Sequence, residues 1–160
     1  MASPPLVALD SLDLSETIAT HGEVYAVLEQ SGRFALLDGV LHRDADEGLI
    51  VGFKDIRADD WWAPDHIPGR PIFPGALMIE AGAQLCSYDS FLRRADAGES
   101  GFFGFGGLNG TRFRGVVEPG MRLLFVAKLG RLRRTMFTYQ TQGFVEDKLV
   151  FEAEVMGVAI

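Results

Sequence analysis

A single cysteine, Cys86, stands in this chain of 160 residues, so no internal disulfide can form. It falls in an apolar stretch, where a small buried thiol is ordinary packing. Histidines number three, His21, His42 and His66. They are too few and too scattered for a structural zinc cluster. No apolar run approaches the roughly 18–20 residues that cross a bilayer. Met1–Pro5 lacks a basic region leading into an apolar core, so it does not read as a signal peptide, and a cytoplasmic location is the expectation. No glycine loop of either phosphate-cradling type is present, nor any internal repeat. Positive charge is also short: 15 basic against 22 acidic residues give a net −7, which argues against general nucleic-acid binding. Seven of the fifteen basic residues (Arg112, Arg114, Arg122, Lys128, Arg131, Arg133 and Arg134) are nevertheless gathered in one stretch. That stretch reads either as a solvated strand-and-turn face or as a patch for an acidic partner.

Apolar residues make up 48% of the chain, enough for a full core in one domain that buries about two-thirds of its extended surface. Residues 1–160 are taken as that domain, with 1–22 a peripheral N-terminal extension. Helical spacing of Val24, Val27 and Leu28 predicts a short helix over Glu23–Gln30. Phe34–Leu41 and Leu49–Ile56 read as paired strands across the polar turn Arg43–Gly48. Pro64, Pro68, Pro71 and Pro74 then stiffen a loop, each fixing its own φ and biasing the residue before it toward extended geometry. A helix is expected from Gly75 to about Arg94. Its apolar residues cover nearly the whole circumference, which predicts burial on all sides, and it should extend roughly 30 Å. Beyond it the period becomes two, over Gly101–Leu108, Thr111–Val117, Met121–Gly130, Thr135–Phe144 and Leu149–Ile160. The product is α+β, a long helix wrapped by about six largely antiparallel strands, and not a doubly wound sheet, because strand follows strand directly.

Two ionisable residues interrupt this pattern without a packing reason. Glu80 falls in the second turn of the apolar helix, where burial disfavours its charge and the helix N-terminus favours it. Proton transfer is one reading, and a carboxyl hydrogen-bonded in the core is the other. His66 sits in the proline loop, held at small entropic cost, as an acid–base group requires. Asp65 either orients it or faces water. Gly75, at the helix start, has an N–H without an intrahelical acceptor and no side chain to keep a carbonyl oxygen away. Gln84 is one turn beyond Glu80 and within reach of its carboxyl or of a substrate group.

The segment His66-Ile67-Pro68-Gly69-Arg70-Pro71, then Pro74-Gly75, then Glu80-Ala81-Gly82-Ala83-Gln84 resembles the central motif of the FabZ-type β-hydroxyacyl-acyl-carrier-protein dehydratases. Similarity continues in Phe34-Ala35-Leu36-Leu37-Asp38 and from Thr111 to Gly120, and it covers roughly residues 23–160. The resemblance implies the hotdog fold, a central helix wrapped by a curved, mainly antiparallel sheet. It implies homodimers, which in many relatives assemble as trimers of dimers, and a substrate carried on the phosphopantetheine arm of acyl carrier protein. His66 of one chain would then face Glu80 of the other and take the α-proton, while Glu80 helps the β-hydroxyl depart as water. The Gly75 N–H would bind the thioester oxygen and Gln84 would support Glu80, and the resemblance implies no metal or redox cofactor. The implied reaction is dehydration of a (3R)-3-hydroxyacyl carrier thioester to the trans-2-enoyl thioester in fatty acid synthesis. Against the family pattern, Asp65 replaces a glycine, Ile67 a phenylalanine, Gly32-Arg33 a Tyr-Pro pair and Gly39 an arginine. A hotdog thioesterase and a non-catalytic acyl-binding module are the competing readings.

Overall fold

The computed structural model describes residues 1–160. Its elements in chain order are β1 (Ala19–Thr20), α1 (His21–Tyr25), β2 (Gly39–Asp44), β3 (Leu49–Asp55), α2 (Gly75–Asp96), β4 (Phe103–Phe113), β5 (Arg122–Leu132), β6 (Met136–Val145) and β7 (Lys148–Ala159). The strands form one open seven-stranded sheet in the order β1-β2-β3-β5-β6-β7-β4. Every neighbouring pair is antiparallel. This is the hotdog arrangement that the resemblance implied, with seven strands where the alternating pattern gave about six. No helix is long and apolar enough to cross a membrane.

The long helix forms where the prolines end. Pro74 takes extended geometry as the residue before it, and Gly75–Asp96 then carries no proline, so about 33 Å of helix runs uninterrupted. It packs on the inner face of the sheet through Met78, Ala81, Leu85, Cys86 and Tyr88, within one core that includes Phe125, Phe137, Tyr139 and Phe151. The helix is not apolar all round: Gln84, Asp89, Ser90 and Arg94 are buried too.

Several boundaries moved. The expected helix over Glu23–Gln30 is a five-residue turn, His21–Tyr25, started by a capping box in which Thr20 and Glu23 satisfy each other's backbone N–H. The strand expected over Phe34–Leu41 begins only at Gly39. Leu36 and Leu37 are buried core residues, but they lie outside the ladder. Gly101–Leu108 and Thr111–Val117 fuse into the single strand β4, whose register shifts between Asn109 and Arg112 absorb the Asn-Gly that looked like a turn.

Residues 1–18 are not wholly loose. Leu6, Val7, Leu9, Leu12 and Leu14 lie against a second, outer cluster of Leu49, Val51, Val126 and Phe144. The Leu6 N–H donates to Gln142 Oε1 (2.8 Å), and Gln142 Nε2 donates to the Pro4 carbonyl (2.9 Å). The segment thus straps the face of the sheet opposite α2, and Ala19–Thr20 joins the sheet itself through β2.

Candidate active site

The proline loop between β3 and α2 is anchored by its buried aromatics. Trp62 and Phe73 meet edge to face at 5.4 Å, and the Phe73 N–H donates to the Val117 carbonyl (2.7 Å). Between these anchors the His66 N–H bonds to the Trp62 carbonyl (2.9 Å), and His66 Nδ1 lies 2.8 Å from the Ile72 carbonyl. A carbonyl oxygen only accepts, so Nδ1 carries a hydrogen, and in the neutral imidazole the lone pair is then on Nε2. The group that orients the imidazole is therefore a backbone carbonyl six residues on; Asp65 is exposed. Ile67 has φ +61°, a conformation that costs a β-branched residue about 1–3 kcal/mol. The loop holds this strain beside the histidine.

Gly75 opens α2, and the first α2 residues to bond back, Leu77 and Met78, both use the Pro74 carbonyl. The Gly75 N–H keeps the free donor that a helix start leaves. Its missing side chain has a packing cause as well: a Cβ would stand 2.8 Å from the Phe113 ring. Phe113, an exposed residue near the end of β4, thereby closes over the start of the helix.

Glu80 and Gln84 come together, one of the two partners the i,i+4 spacing left open for Gln84, with Gln84 Nε2 donating to Glu80 Oε1 at 2.9 Å. Gln84 is 1% exposed, and its amide is fully engaged. Nε2 also donates to the Phe34 carbonyl (2.8 Å), while Oε1 accepts from the Tyr25 hydroxyl (2.6 Å) and the Leu36 N–H (3.4 Å). Tyr25 had no role in the reading of the sequence, because its contact with Gln84 spans 59 positions. The Thr20–Glu23 capping box was the available signal for a helix ending at it. Glu80, Ala83, Gln84 and Ser87 line a cavity of about 160 Å³ whose other wall includes Phe102, Phe103 and Phe105.

The single chain does not join His66 to Glu80. The imidazole is bonded to Ile72, the carboxylate to Gln84, and His66 is not among the residues lining the Glu80 cavity. No cluster of ligating side chains able to hold a metal ion is formed. Of the gathered basic residues, Arg122 pairs with Asp55 and Arg114 with Glu152. Arg131, Arg133 and Arg134 stand exposed and without ion pairs around the β5–β6 turn.

Residues 28–154 match the model of the FabA-like domain. This chain belongs to the FabA-like family, among its FabZ-type dehydratases. It is 32% identical over 144 residues to the 3-hydroxyacyl-acyl-carrier-protein dehydratase FabZ of Desulfotalea psychrophila, covering 87% of this chain and 95% of that protein. It is 36% identical over 123 residues to the FabZ of Syntrophobacter fumaroxidans, covering 77% and 82%. Among solved structures, the dehydratase heterocomplex ApeI:P from Xenorhabdus doucetiae superposes with a TM-score of 0.73 over 86% of this chain and 90% of that one. At 15% identity that likeness speaks for the fold alone.

Proposed function

We propose that this FabZ-type protein dehydrates a (3R)-3-hydroxyacyl thioester, presented on acyl carrier protein, to the trans-2-enoyl thioester, with His66 and Glu80 as its proton-transfer groups. The observation that carries the reading is that one chain holds both a histidine oriented by its Nδ1 and, separately, a carboxyl supported by an amide. His66 has its Nδ1–H committed to the Ile72 carbonyl, so Nε2 is free to accept a proton. Glu80 has one oxygen committed to Gln84 and lines an apolar-walled cavity. Identities of 30–36% to FabZ proteins over most of the chain support the same chemistry.

Elimination of water needs a proton removed from the α-carbon and a proton delivered to the β-hydroxyl. His66 Nε2 takes the first, Glu80 gives the second, the C–O bond breaks and the C=C bond forms. A thioester oxygen at the start of α2 would meet the free Gly75 N–H and the positive end of the helix, which favour the enolate as it develops. Acid–base groups of this kind contribute about 10²–10⁴-fold each.

Because one chain leaves its histidine outside the Glu80 cavity, the working unit is read as a homodimer that brings the partner's loop to that cavity. Strand β4 supports this. It is an eleven-residue edge presenting Phe105, Leu108 and Phe113 at 49%, 39% and 51% exposure, and a long apolar edge of this kind calls for a partner strand. The exposed arginines around the β5–β6 turn suit an acidic carrier.

His66→Ala and Glu80→Gln are each expected to lower dehydration of a 3-hydroxyacyl carrier thioester about a hundredfold or more, with circular dichroism and oligomer size unchanged. Light scattering on the same samples distinguishes a dimer from a trimer of dimers. Unaltered rates in both variants would reject the assignment, and release of free thiol from the thioester would indicate hydrolysis instead.

A further inference from the structure

The hydrogen-bond chain behind Glu80 has a direction, and that direction is fixed by backbone groups. The Leu37 N–H donates to the Tyr25 oxygen at 2.8 Å. The hydroxyl's own proton is therefore directed to Gln84 Oε1 at 2.6 Å. The amide cannot be reversed: its oxygen would then face the Phe34 carbonyl and its NH₂ the Leu36 N–H, replacing two hydrogen bonds with two repulsions. Gln84 Nε2 is therefore a donor to Glu80 Oε1, and that oxygen accepts. The protonated carboxyl must carry its hydrogen on Oε2, the oxygen that no group of the chain engages.

We propose that Tyr25 is a positioning residue for proton delivery: its hydroxyl bond to Gln84 Oε1 strengthens the amide donor that occupies Glu80 Oε1 and so leaves the transferable proton on Oε2, toward the bound β-hydroxyl. The inference rests on the reading of Glu80 as the acid in dehydration. In that step the β-carbon–oxygen bond breaks, the departing oxygen takes the Oε2 proton and leaves as water, and the α-carbon's electron pair forms the double bond as His66 Nε2 accepts the α-proton. Glu80 is left as a carboxylate with Gln84 still donating to Oε1. A hydroxyl bonded to the amide oxygen polarises the amide and strengthens its N–H as a donor, so Tyr25 supports the charge that Glu80 acquires as its proton departs. Tyr25 is built to remain a donor. Burial pushes its phenol well above the ordinary tyrosine value, and the Asp38 and Glu80 carboxylates add to this against the backbone N–H bonds of Leu37 and Leu36. The His21 ring packs on it at 4.8 Å, and the capping box holds the turn from which it projects.

The test compares two leaving groups in Tyr25→Phe and in the unaltered protein. Hydroxide needs a proton to depart and chloride does not, while both eliminations need the α-proton removed. Loss of one hydrogen bond to the supporting amide should lower kcat about five- to tenfold on a 3-hydroxyacyl thioester. KM should be unchanged, because the bond gains strength only as charge develops. Elimination from the 3-chloroacyl thioester of the same chain length should keep its rate. An equal fall on both substrates would make Tyr25 a packing residue, and no fall on either would make it irrelevant; either result overturns the proposal. Glu80→Gln, assayed alongside on the 3-hydroxyacyl thioester, separates the two levels of the argument: if that variant keeps full activity, the acid assignment itself has failed, whatever Tyr25→Phe does. Should Tyr25→Phe not fold, 3,5-difluorotyrosine at position 25 keeps the shape and the hydroxyl while making it a stronger donor. The ratio of the two kcat values is then expected to move at constant melting temperature, and an unmoved ratio overturns the proposal.

Discussion

Asp89 is the carboxylate on which the far half of α2 depends, and replacing it with alanine should be among the most destabilising changes in the protein. Its side chain is 0% exposed and accepts from Arg43 Nε and Arg93 Nε, both at 2.7 Å, and from the Tyr139 hydroxyl at 2.6 Å. The Arg43 and Arg93 side chains are themselves only 20% and 15% exposed, and each has a buried Nη2 without any partner. Asp89→Ala therefore strands two buried cations and a buried phenol together. Breaking a buried pair by removing one member costs about 3–5 kcal/mol, because the charge left behind is not resolvated. For a chain of this size, 1 kcal/mol corresponds to about 2–4 °C, so the melting temperature should fall by about 6–20 °C. Calorimetry and urea unfolding at one fixed protein concentration measure this, the concentration being held because an oligomer's stability depends on it. The three bonds share one acceptor, so Arg43→Ala, Arg93→Ala and Tyr139→Phe should not sum to the Asp89 loss. Replacing the four residues together with apolar ones of similar volume should recover most of it. A loss under about 1 kcal/mol, the range of exposed pairs, would show that water reaches the cluster and that the desolvation argument is wrong.

Two further outcomes follow from the packing. Deleting residues 2–14 uncovers Leu49, Val51, Val126 and Phe144 on the outer face of the sheet, each worth about 1.5–3 kcal/mol when fully buried; a lower melting temperature and binding of a hydrophobic dye are expected, and an unchanged melt would show the strap to be passive. Cys86 is fully buried, and burial, reinforced by the Asp89 carboxylate, pushes its thiol well above the ordinary value, so iodoacetamide at pH 8 should label the protein only after denaturation; rapid labelling of the native protein would contradict the packing of α2.

How much of this was legible in the residues depends on the range of the interaction. Gly75–Asp96 was readable as a helix because its start follows the last of four prolines and its composition favours no other state. The Glu80–Gln84 contact was readable because i,i+4 is a property of the helix alone. The strand β2 was misplaced by five residues because Leu36 and Leu37 are buried without being paired, and an apolar run reports burial, not ladder hydrogen bonds. The fusion of β4 was hidden by Asn109-Gly110, a strong turn signal that tertiary pairing with β7 turned into a bulge. Tyr25 and Asp89 escaped for a different reason. A polar atom deep in an apolar element announces that it needs partners; for Asp89 the i,i+4 spacing offers Arg93, but Arg43 on β2 and Tyr139 on β6, like the contact of Tyr25 with Gln84 on α2, are selected by no local pattern. Asp89 in particular went unremarked in the sequence, masked by the apolar residues around it.

The order of the strands gives the edge strand a further role. The chain leaves β3 in the middle of the sheet, crosses through α2, lays β4 at the far edge and only then returns to place β5 beside β3. That detour leaves the strand after the helix at an edge with β7 as its one neighbour, while the two-residue β1 ends the sheet on the other side. It also puts that strand's aromatics where they border both ends of the candidate site: Phe103 and Phe105 wall the Glu80 cavity, and Phe113 covers Gly75 at the helix start. Any strand that pairs with β4 must therefore pack against the same residues that enclose the acid and the free N–H. On the proposed reading, assembly and completion of the site are then one event, and a single chain would hold its imidazole oriented by Ile72 and its carboxyl supported by Gln84 while keeping the two apart.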